Sequence, residues 1–278
     1  MDIHIPEYQY VAGQSRPTFA ALFEEFAIAN ASALANGEWR QDLVYGIHPR
    51  QRFDLCLAGG TAVGTVLYFH AGYWQSRDKA QFHFLAPALT KVGFNAAFVG
   101  YPLCPEVSLE ELTISVRAAI PAVVNALRAL NKPLPLIVVG HSAGAHLSIE
   151  LALSQSEETP VNHRIAGLVP ISGIYDLSPL LETSLNDRLR LNPQTARAGS
   201  PVLRARAGMP PATFLVGGTE TPEFLRQNRE MAQAWTLAGN RADHHELEGL
   251  DHFSLLSALS QPNGPLLQRL RYLCSSLP

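Results

Sequence analysis

Five short and almost wholly apolar runs, separated by longer segments with helical spacing, occupy the middle of the sequence. Strands that are apolar on both faces must be covered on both faces, which is typical of a parallel sheet with crossover helices on each side. Charged residues make up only 16% of the chain, below the roughly 25% of an average soluble domain, in agreement with so much buried strand. The runs are 65–69, 95–99, 136–139, 167–171 and 213–216, and the predicted helices lie near 78–92, 108–130, 143–155 and 222–239.

Strand-like segments at both ends of this region extend the predicted sheet. Residues 42–47 and 52–58 indicate an antiparallel opening pair, and 242–247 adds a last strand. A chain of 278 residues can bury about three quarters of its unfolded surface, so one core is enough. We therefore expect one α/β domain over residues 1–278, with a mostly parallel eight-stranded sheet and helices on both faces.

Residues 178–210 interrupt the alternation with several prolines and arginines. Long connections in compact domains are usually functional, so a small cap over the carboxyl ends of the strands is one interpretation. A solvated surface excursion is the other. RNA binding is not favoured, because no aromatic residues stand between the arginines to stack bases.

The charge balance argues against a nucleic-acid partner. The formal net charge is -3 and the pI is near 6.4, without the basic surface that phosphate binding needs.

The sequence shows neither a secretory signal nor a membrane span. The first residues have no basic region followed by an apolar one, and runs such as 136–139 are too short to span a bilayer. We expect a cytoplasmic protein without a membrane partner.

The three cysteines, Cys56, Cys104 and Cys274, are widely spaced and form no CxxC pair. They predict reduced thiols rather than a zinc site or a redox switch. Neither a metal nor an organic cofactor is expected, and the sequence leaves a homodimer open.

The apolar run 136–139 leads directly into the sequence GHSAG, whose serine is Ser142, and then into a helical segment. A serine at such a sharp turn from strand to helix projects its hydroxyl over the sheet edge. The helix amino terminus behind it favours developing negative charge. The pattern predicts Ser142 as a nucleophile.

A serine hydroxyl needs a base to take its proton and a carboxylate to hold that base. Glu220 follows the carboxyl end of the run 213–216 and is the preferred acid. Asp176, which also lies beyond a predicted strand end, is one alternative, and Glu223 and Asp251, which are close by in the sequence, are the others.

His252 is the preferred base, because it lies in a loop after the last predicted strand. His244 and His245 alternate inside that strand, where at most one can face the site. The chain order Ser142, Glu220, His252 is the order nucleophile, acid, histidine of the α/β-hydrolase fold.

The first strong apolar strand ends in HAGYW, which predicts an oxyanion hole. A tetrahedral intermediate needs backbone N–H donors, and a loop of small residues brings the main chain close enough to supply them. We expect the amides of Gly72, Tyr73 and Ala143 to be the donors. His70 is expected to anchor this loop rather than to act as a base.

Aromatic residues stand beside these motifs. Trp74, Tyr175 and Phe253, together with Tyr73, are candidates for lining an aryl-binding pocket. The same side chains could equally belong to the core. Both interpretations stay open at the level of sequence.

Taken together, the motifs resemble those of kynurenine formamidases, or arylformamidases, in the hormone-sensitive-lipase-like branch of the α/β hydrolases. The resemblance implies Ser142 as nucleophile, His252 as base and Glu220 at the position where the family has aspartate; Ala71 stands where it has glycine. The motifs that carry it are HAGYW (70–74), YPLCPE (101–106), GHSAGAHL (140–147), SGIYDL (172–177), TETPEFLRQ (219–227) and LDHF (250–253).

The expected function is a serine hydrolase that cleaves a small acyl amide or ester, and the resemblance implies an aryl formamide such as N-formylkynurenine. Two alternatives remain at this stage. One is a carboxylesterase for short-chain acyl esters, since a triad alone does not distinguish an ester from a formamide. The other is a protein of the same fold that binds a ligand without turning it over.

Overall fold

The structure, a computed structural model, describes residues 2–131, 135–261 and 264–275. Within these ranges one sheet of eight strands has the order β1-β2-β4-β3-β5-β6-β7-β8. The first two strands pair antiparallel to their neighbours, and the others pair parallel. The strands are β1 (Glu38–Val44), β2 (Arg52–Leu57), β3 (Gly64–Phe69), β4 (Phe94–Val99), β5 (Leu136–His141), β6 (Ile165–Ile171), β7 (Ala212–Gly217) and β8 (Ala242–Leu247).

Helices cover both faces of the sheet, as the apolar strands require. The α-helices are α1 (Pro6–Tyr10), α2 (Phe19–Asn36), α3 (Ala86–Lys91), α4 (Leu109–Ser115), α5 (Ala119–Ala129), α6 (Ala143–Leu153), α7 (Asn186–Leu189), α8 (Pro193–Ala198), α9 (Pro222–Leu237), α10 (Ser254–Leu259) and α11 (Pro265–Ser275). Short 3-10 helices lie at Ala12–Gln14, Lys79–Leu85, Val116–Ala118, Val161–His163, Ser178–Glu182 and Pro201–Leu203.

Alternation along the central strands builds two cores, one on each face of the sheet. On β3, Leu67 and Phe69 pack into one core, and Val66 and Tyr68 pack into the other. All four are at most 1% exposed. Because full burial of such a side chain contributes about 1.5–3 kcal/mol, these strands are strongly tied to the interior.

The predicted fold class, an α/β-hydrolase fold with a mostly parallel eight-stranded sheet, is confirmed. The position of the first strand was wrong: β1 covers Glu38–Val44 instead of 42–47. It is an exposed edge strand whose register shifts between Arg40 and Leu43, so it lacks the apolar pattern that marks the central strands. The predicted helix 108–130 is divided into α4, a 3-10 turn and α5.

One helical run, Leu109–Ala129, is long and apolar enough by length and composition to cross a membrane, and the short apolar runs of the sequence did not indicate it. A core helix of a soluble protein passes the same test. Leu112, Val116 and Val123 on this run are fully buried in the core against the sheet. The apolar composition thus has a packing explanation within the fold.

Candidate active site

Ser142 lies at the turn between β5 and α6, with φ 58° and ψ -117°. Such a positive φ is uncommon for a residue with a side chain and is typical of this strand-to-helix turn. The amide of Ser142 donates to the carbonyl oxygen of Ile171 at 2.8 Å, which ties the turn to β6. Gly144 allows α6 to approach β3, because a Cβ there would overlap the carbonyl oxygen of Phe69.

Glu220 and His252 form a buried pair at the same edge of the sheet. The distance from Nδ1 of His252 to Oε2 of Glu220 is 2.6 Å, and the side chains are 4% and 0% exposed. The other carboxylate oxygen, Oε1, accepts hydrogen bonds from the hydroxyl of Ser172 and from the amide of Gly217. The carboxylate is therefore fixed from both sides, and it holds one nitrogen of the imidazole.

The rest of the His252 ring is enclosed by other rings. The centroids of His141, Phe224 and Phe253 lie 4.7, 4.9 and 5.1 Å from that of His252. Since His141 precedes Ser142 in the chain, this packing brings the imidazole beside the nucleophile turn. The hydroxyl of Ser142 is not hydrogen-bonded to His252 in this conformation, and such bonds commonly tighten when substrate binds.

His141 itself is buried, and burial holds its pKa well below the usual value, so its ring is neutral. His141 therefore adds no positive charge beside His252. Of these two neighbouring imidazoles, His252 is the one that has a carboxylate partner, Glu220.

The alternative acids are engaged elsewhere. Asp176 accepts the amide of Ser178 in a local turn at 3.0 Å. Glu223 accepts hydrogen bonds from Arg226, which hold the pKa of that carboxyl below its usual value. Asp251 accepts the amides of the two residues at the start of α10. Glu220 alone among these four carboxylates contacts His252 within the described ranges.

The predicted oxyanion loop has an unusual backbone. Gly72 has φ 131°, a value that L side chains rarely adopt, and Tyr73 and Trp74 also have positive φ. The amides of Gly72, Tyr73 and Ala143 have no acceptor among the residues that the structure describes. Ala143 is the first residue of α6, where backbone N–H groups lack helical partners. These donors remain available to an incoming oxygen.

His70 anchors this loop from below. Its ring stacks between Phe82 and Tyr101, at centroid distances of 5.9 and 4.1 Å. Nδ1 donates to the carbonyl oxygen of Ala71 at 2.7 Å, and the hydroxyl of Tyr101 donates to the carbonyl oxygen of His70 at 2.7 Å. Burial lowers the pKa of His70 to about 4, so the ring stays neutral near pH 7.

The aromatic candidates differ in their surroundings. Trp74 and Tyr175 are both 0% exposed and pack in the same core, with the Trp74 ring edge-on to His146 at 5.1 Å. Phe253 is 9% exposed and contacts His252 directly. Of these three side chains, Phe253 is the one placed against the catalytic candidate.

The amino-terminal helix α1 also reaches the site, which the sequence did not reveal. The hydroxyl of Tyr73 donates to the carbonyl oxygen of Tyr10. The Tyr10 hydroxyl donates to Oε2 of Glu223 at 2.7 Å and accepts from Nε2 of Gln227 at 2.6 Å. Tyr10 and Glu223 are 213 residues apart, so no local pattern could have indicated the contact.

The segment 178–210 lies against three parts of this region. The side chain of Gln75 donates to the carbonyl oxygen of Leu185 at 2.8 Å, next to the oxyanion loop. The amide of Ser184 donates to Glu7 on α1 at 2.8 Å, and Nε2 of His146 on α6 donates to the carbonyl oxygen of Gly199 at 2.9 Å.

Cys56 and Cys104 are buried free thiols, as expected; the side chain of Cys274 lies outside the described residues.

Two residues hold the carboxylate of Glu220 by donating hydrogen bonds to it, and the sequence did not single them out. They are Ser172 and Gly217. Ser172 opens the SGIYDL motif and has a positive φ of 50°, so the motif was the available signal.

The fold and the geometry of this edge define an α/β hydrolase, and the comparisons agree. The alpha/beta hydrolase fold family matches residues 66–256. An esterase from Pyrobaculum calidifontis superposes with a TM-score of 0.73 at 18% identity, covering 94% of this chain and 95% of its own, which shows the shared fold. A crystal structure from a Silicibacter species has a TM-score of 0.83 at 32% identity, covering 96% and 98% of the two chains.

A kynurenine formamidase from Danio rerio is 30% identical over 272 residues, covering 92% of this chain and 91% of the fish protein. The chain belongs to the kynurenine formamidase-like group in the hormone-sensitive-lipase-like branch of the α/β hydrolases. The resemblance seen in the motifs is thereby confirmed, and the protein is a hydrolase.

Proposed function

We propose that the protein is a serine hydrolase that cleaves a small acyl amide or ester through Ser142, His252 and Glu220. His252 takes the hydroxyl proton of Ser142 as its oxygen bonds to the acyl carbon, and then gives that proton to the departing amine or alcohol. Water hydrolyses the acyl-enzyme by the same route in reverse. The observation that carries the proposal is the buried contact of 2.6 Å between Glu220 and His252 beside the Ser142 turn.

In this mechanism Glu220 keeps the imidazole in one tautomer. Because its carboxylate accepts from Nδ1, the proton of His252 resides there and Nε2 is free to receive the proton of Ser142. The amides of Gly72, Tyr73 and Ala143, which have no acceptor within the described ranges, would hold the oxyanion. Each such donor typically contributes about 10²- to 10³-fold in rate.

The substrate that we propose is an aryl formamide such as N-formylkynurenine, which would yield formate and the free aryl amine. The Danio rerio relative named kynurenine formamidase supports it. Phe253 and its aromatic neighbours Phe19 and Phe23, with centroids 5.0 and 4.9 Å away, offer an apolar surface beside the base. A carboxylesterase for short-chain acyl esters is the alternative, and it uses the same residues.

We also propose that 178–210 serves as a small cap. Its hydrogen bonds to Gln75, Glu7 and His146 support this role, because they join the oxyanion loop, α1 and the helix behind the nucleophile. A solvated excursion would have no reason to make contacts with all three.

A fluorophosphonate probe tests the nucleophile. The wild-type protein should be labelled with one equivalent, and Ser142→Ala should not react. Ser154→Ala is the matched control, since Ser154 lies just past the far end of α6, and it should label normally. Absence of labelling in a folded wild-type protein would refute the serine mechanism.

Steady-state rates on N-formylkynurenine and on short p-nitrophenyl esters test the substrate class. A higher kcat/KM on the formamide supports an arylformamidase. A preference for the esters by more than tenfold would favour the carboxylesterase alternative.

A further inference from the structure

Arg77 places a cation beside the proposed base, and it is unpaired among the residues that the structure describes. It lies just after the oxyanion loop, is partly buried, and has φ 70°, an uncommon value for a residue with a side chain. Its guanidinium carbon lies 4.0 Å from the centroid of Phe23 and 5.0 Å from that of Phe253. The charged group is therefore stacked on aromatic faces at the edge of the site.

Within the described residues, the side chain of Arg77 has neither a hydrogen-bond acceptor nor an ion-pair partner. The neighbouring carboxylate of Asp78 pairs with Arg50 instead, at 3.3 Å. Burial lowers the pKa of Arg77, because removing a cation from water without a counter-charge is unfavourable. Other arginines of the chain do have carboxylate partners, among them Arg40, Arg204, Arg226 and Arg229.

Arg77 lies close to the region that the leaving group of the substrate would occupy. The Phe253 ring on which it lies is 5.1 Å from the ring of His252 and 5.4 Å from that of His141. His252 gives its proton to the leaving group, so the residues around its ring border the path of that group. The guanidinium carbon lies over one of these residues, 5.0 Å from the centroid of Phe253.

We infer that Arg77 binds a carboxylate carried by the leaving group of the substrate. This inference rests on the proposed function and specifies its substrate class: an aryl amide or ester whose amine or alcohol portion is anionic. A guanidinium offers five N–H donors in a planar fork that matches a carboxylate, and the two phenyl rings hold its plane in place. The aryl portion of the substrate would lie on the same apolar surface.

A matched pair of substrates separates this role from a purely structural one. N-formylkynurenine carries an α-carboxylate, and N-formyl-2-aminoacetophenone is the corresponding aryl formamide without the amino-acid tail. In Arg77→Gln, we expect kcat/KM on N-formylkynurenine to fall about 10- to 100-fold, mainly through KM, because a hydrogen-bonded charge pair is lost. The neutral formamide should change by less than about threefold.

Two further variants complete the design. Arg77→Lys keeps the charge without the fork and should recover part of the affinity for N-formylkynurenine. Arg128→Gln, an exposed change at the end of α5, should leave both substrates unaffected. Circular dichroism and the unfolding midpoint in urea confirm that each variant is folded.

An equal loss on both substrates would mean that Arg77 only supports Phe253, and would overturn the inference. No loss on N-formylkynurenine would also overturn it. Failure of the proposed function is a separate outcome: wild-type protein that resists the fluorophosphonate and hydrolyses neither formamide nor ester refutes the triad, whatever Arg77 does.

Discussion

Replacement of Glu220 by glutamine makes the proposed triad testable with almost no change in shape. Oε1 of Glu220 accepts two donors, the Ser172 hydroxyl and the Gly217 amide, the latter at 2.8 Å. In Glu220→Gln the amide oxygen is expected at that position, because only an oxygen can accept from the backbone N–H. The NH₂ group then stands where Oε2 was, 2.6 Å from Nδ1 of His252.

An NH₂ donor facing Nδ1 forces that nitrogen to accept, so the single proton of the neutral ring moves to Nε2. His252 then has no free lone pair for the proton of Ser142. Triads in which the acid becomes an amide lose about 10⁴-fold in kcat, which corresponds to about 5.5 kcal/mol of transition-state stabilisation. The free energy of unfolding should change little, since both acceptor bonds of the amide oxygen persist.

The assay is kcat on p-nitrophenyl acetate and on N-formylkynurenine, beside an unfolding curve in urea for each variant. Asp176→Asn is the matched control, because Asp176 is the rival acid and is held in a local turn. Retention of more than a tenth of wild-type kcat by Glu220→Gln would refute the reasoning. So would a loss of activity in Asp176→Asn with the fold intact.

Two other variants probe the surroundings of the site. In Ser172→Ala the carboxylate of Glu220 loses one of its two donors on Oε1, so kcat should fall about tenfold with KM nearly constant; an unchanged kcat would remove Ser172 from the positioning of the acid. His70 has a folded pKa of about 4 and an unfolded pKa near 6.5, so its contribution to stability is present above pH 6.5 and is lost as pH falls toward 4. Between pH 7 and 4.5 the free energy of unfolding of wild type should therefore drop by about 2 kcal/mol more than that of His70→Phe, measured by urea unfolding, and parallel curves would contradict this.

The central strands and the catalytic candidates could be predicted because their signals are local. Strands such as β3 and β5 are apolar on both faces, and each motif residue follows a strand end. In a parallel sheet those ends share one edge, so residues distant in sequence meet there. The sequence accordingly predicts that Ser142, Glu220 and His252 lie near each other.

Features that depend on non-local packing were not predictable in this way. The edge strand β1 carries no continuous apolar run, and its start was misplaced. The docking of Tyr10 on Glu223 joins residues that are 213 positions apart in the chain. That Arg77 has no partner in the described part of the chain depends on all of its neighbours in space, so the sequence alone could not reveal it.

The contact of Tyr10 with α9 has a consequence for the order in which contacts around the site form during synthesis. Helix α1 leaves the ribosome before its partners Glu223 and Gln227, which follow more than 200 residues later, so these contacts cannot form until most of the chain has emerged. His252 is made later still. The Tyr10 hydroxyl therefore gains its partners on α9, and Glu220 its contact with His252, only after these late segments have been made.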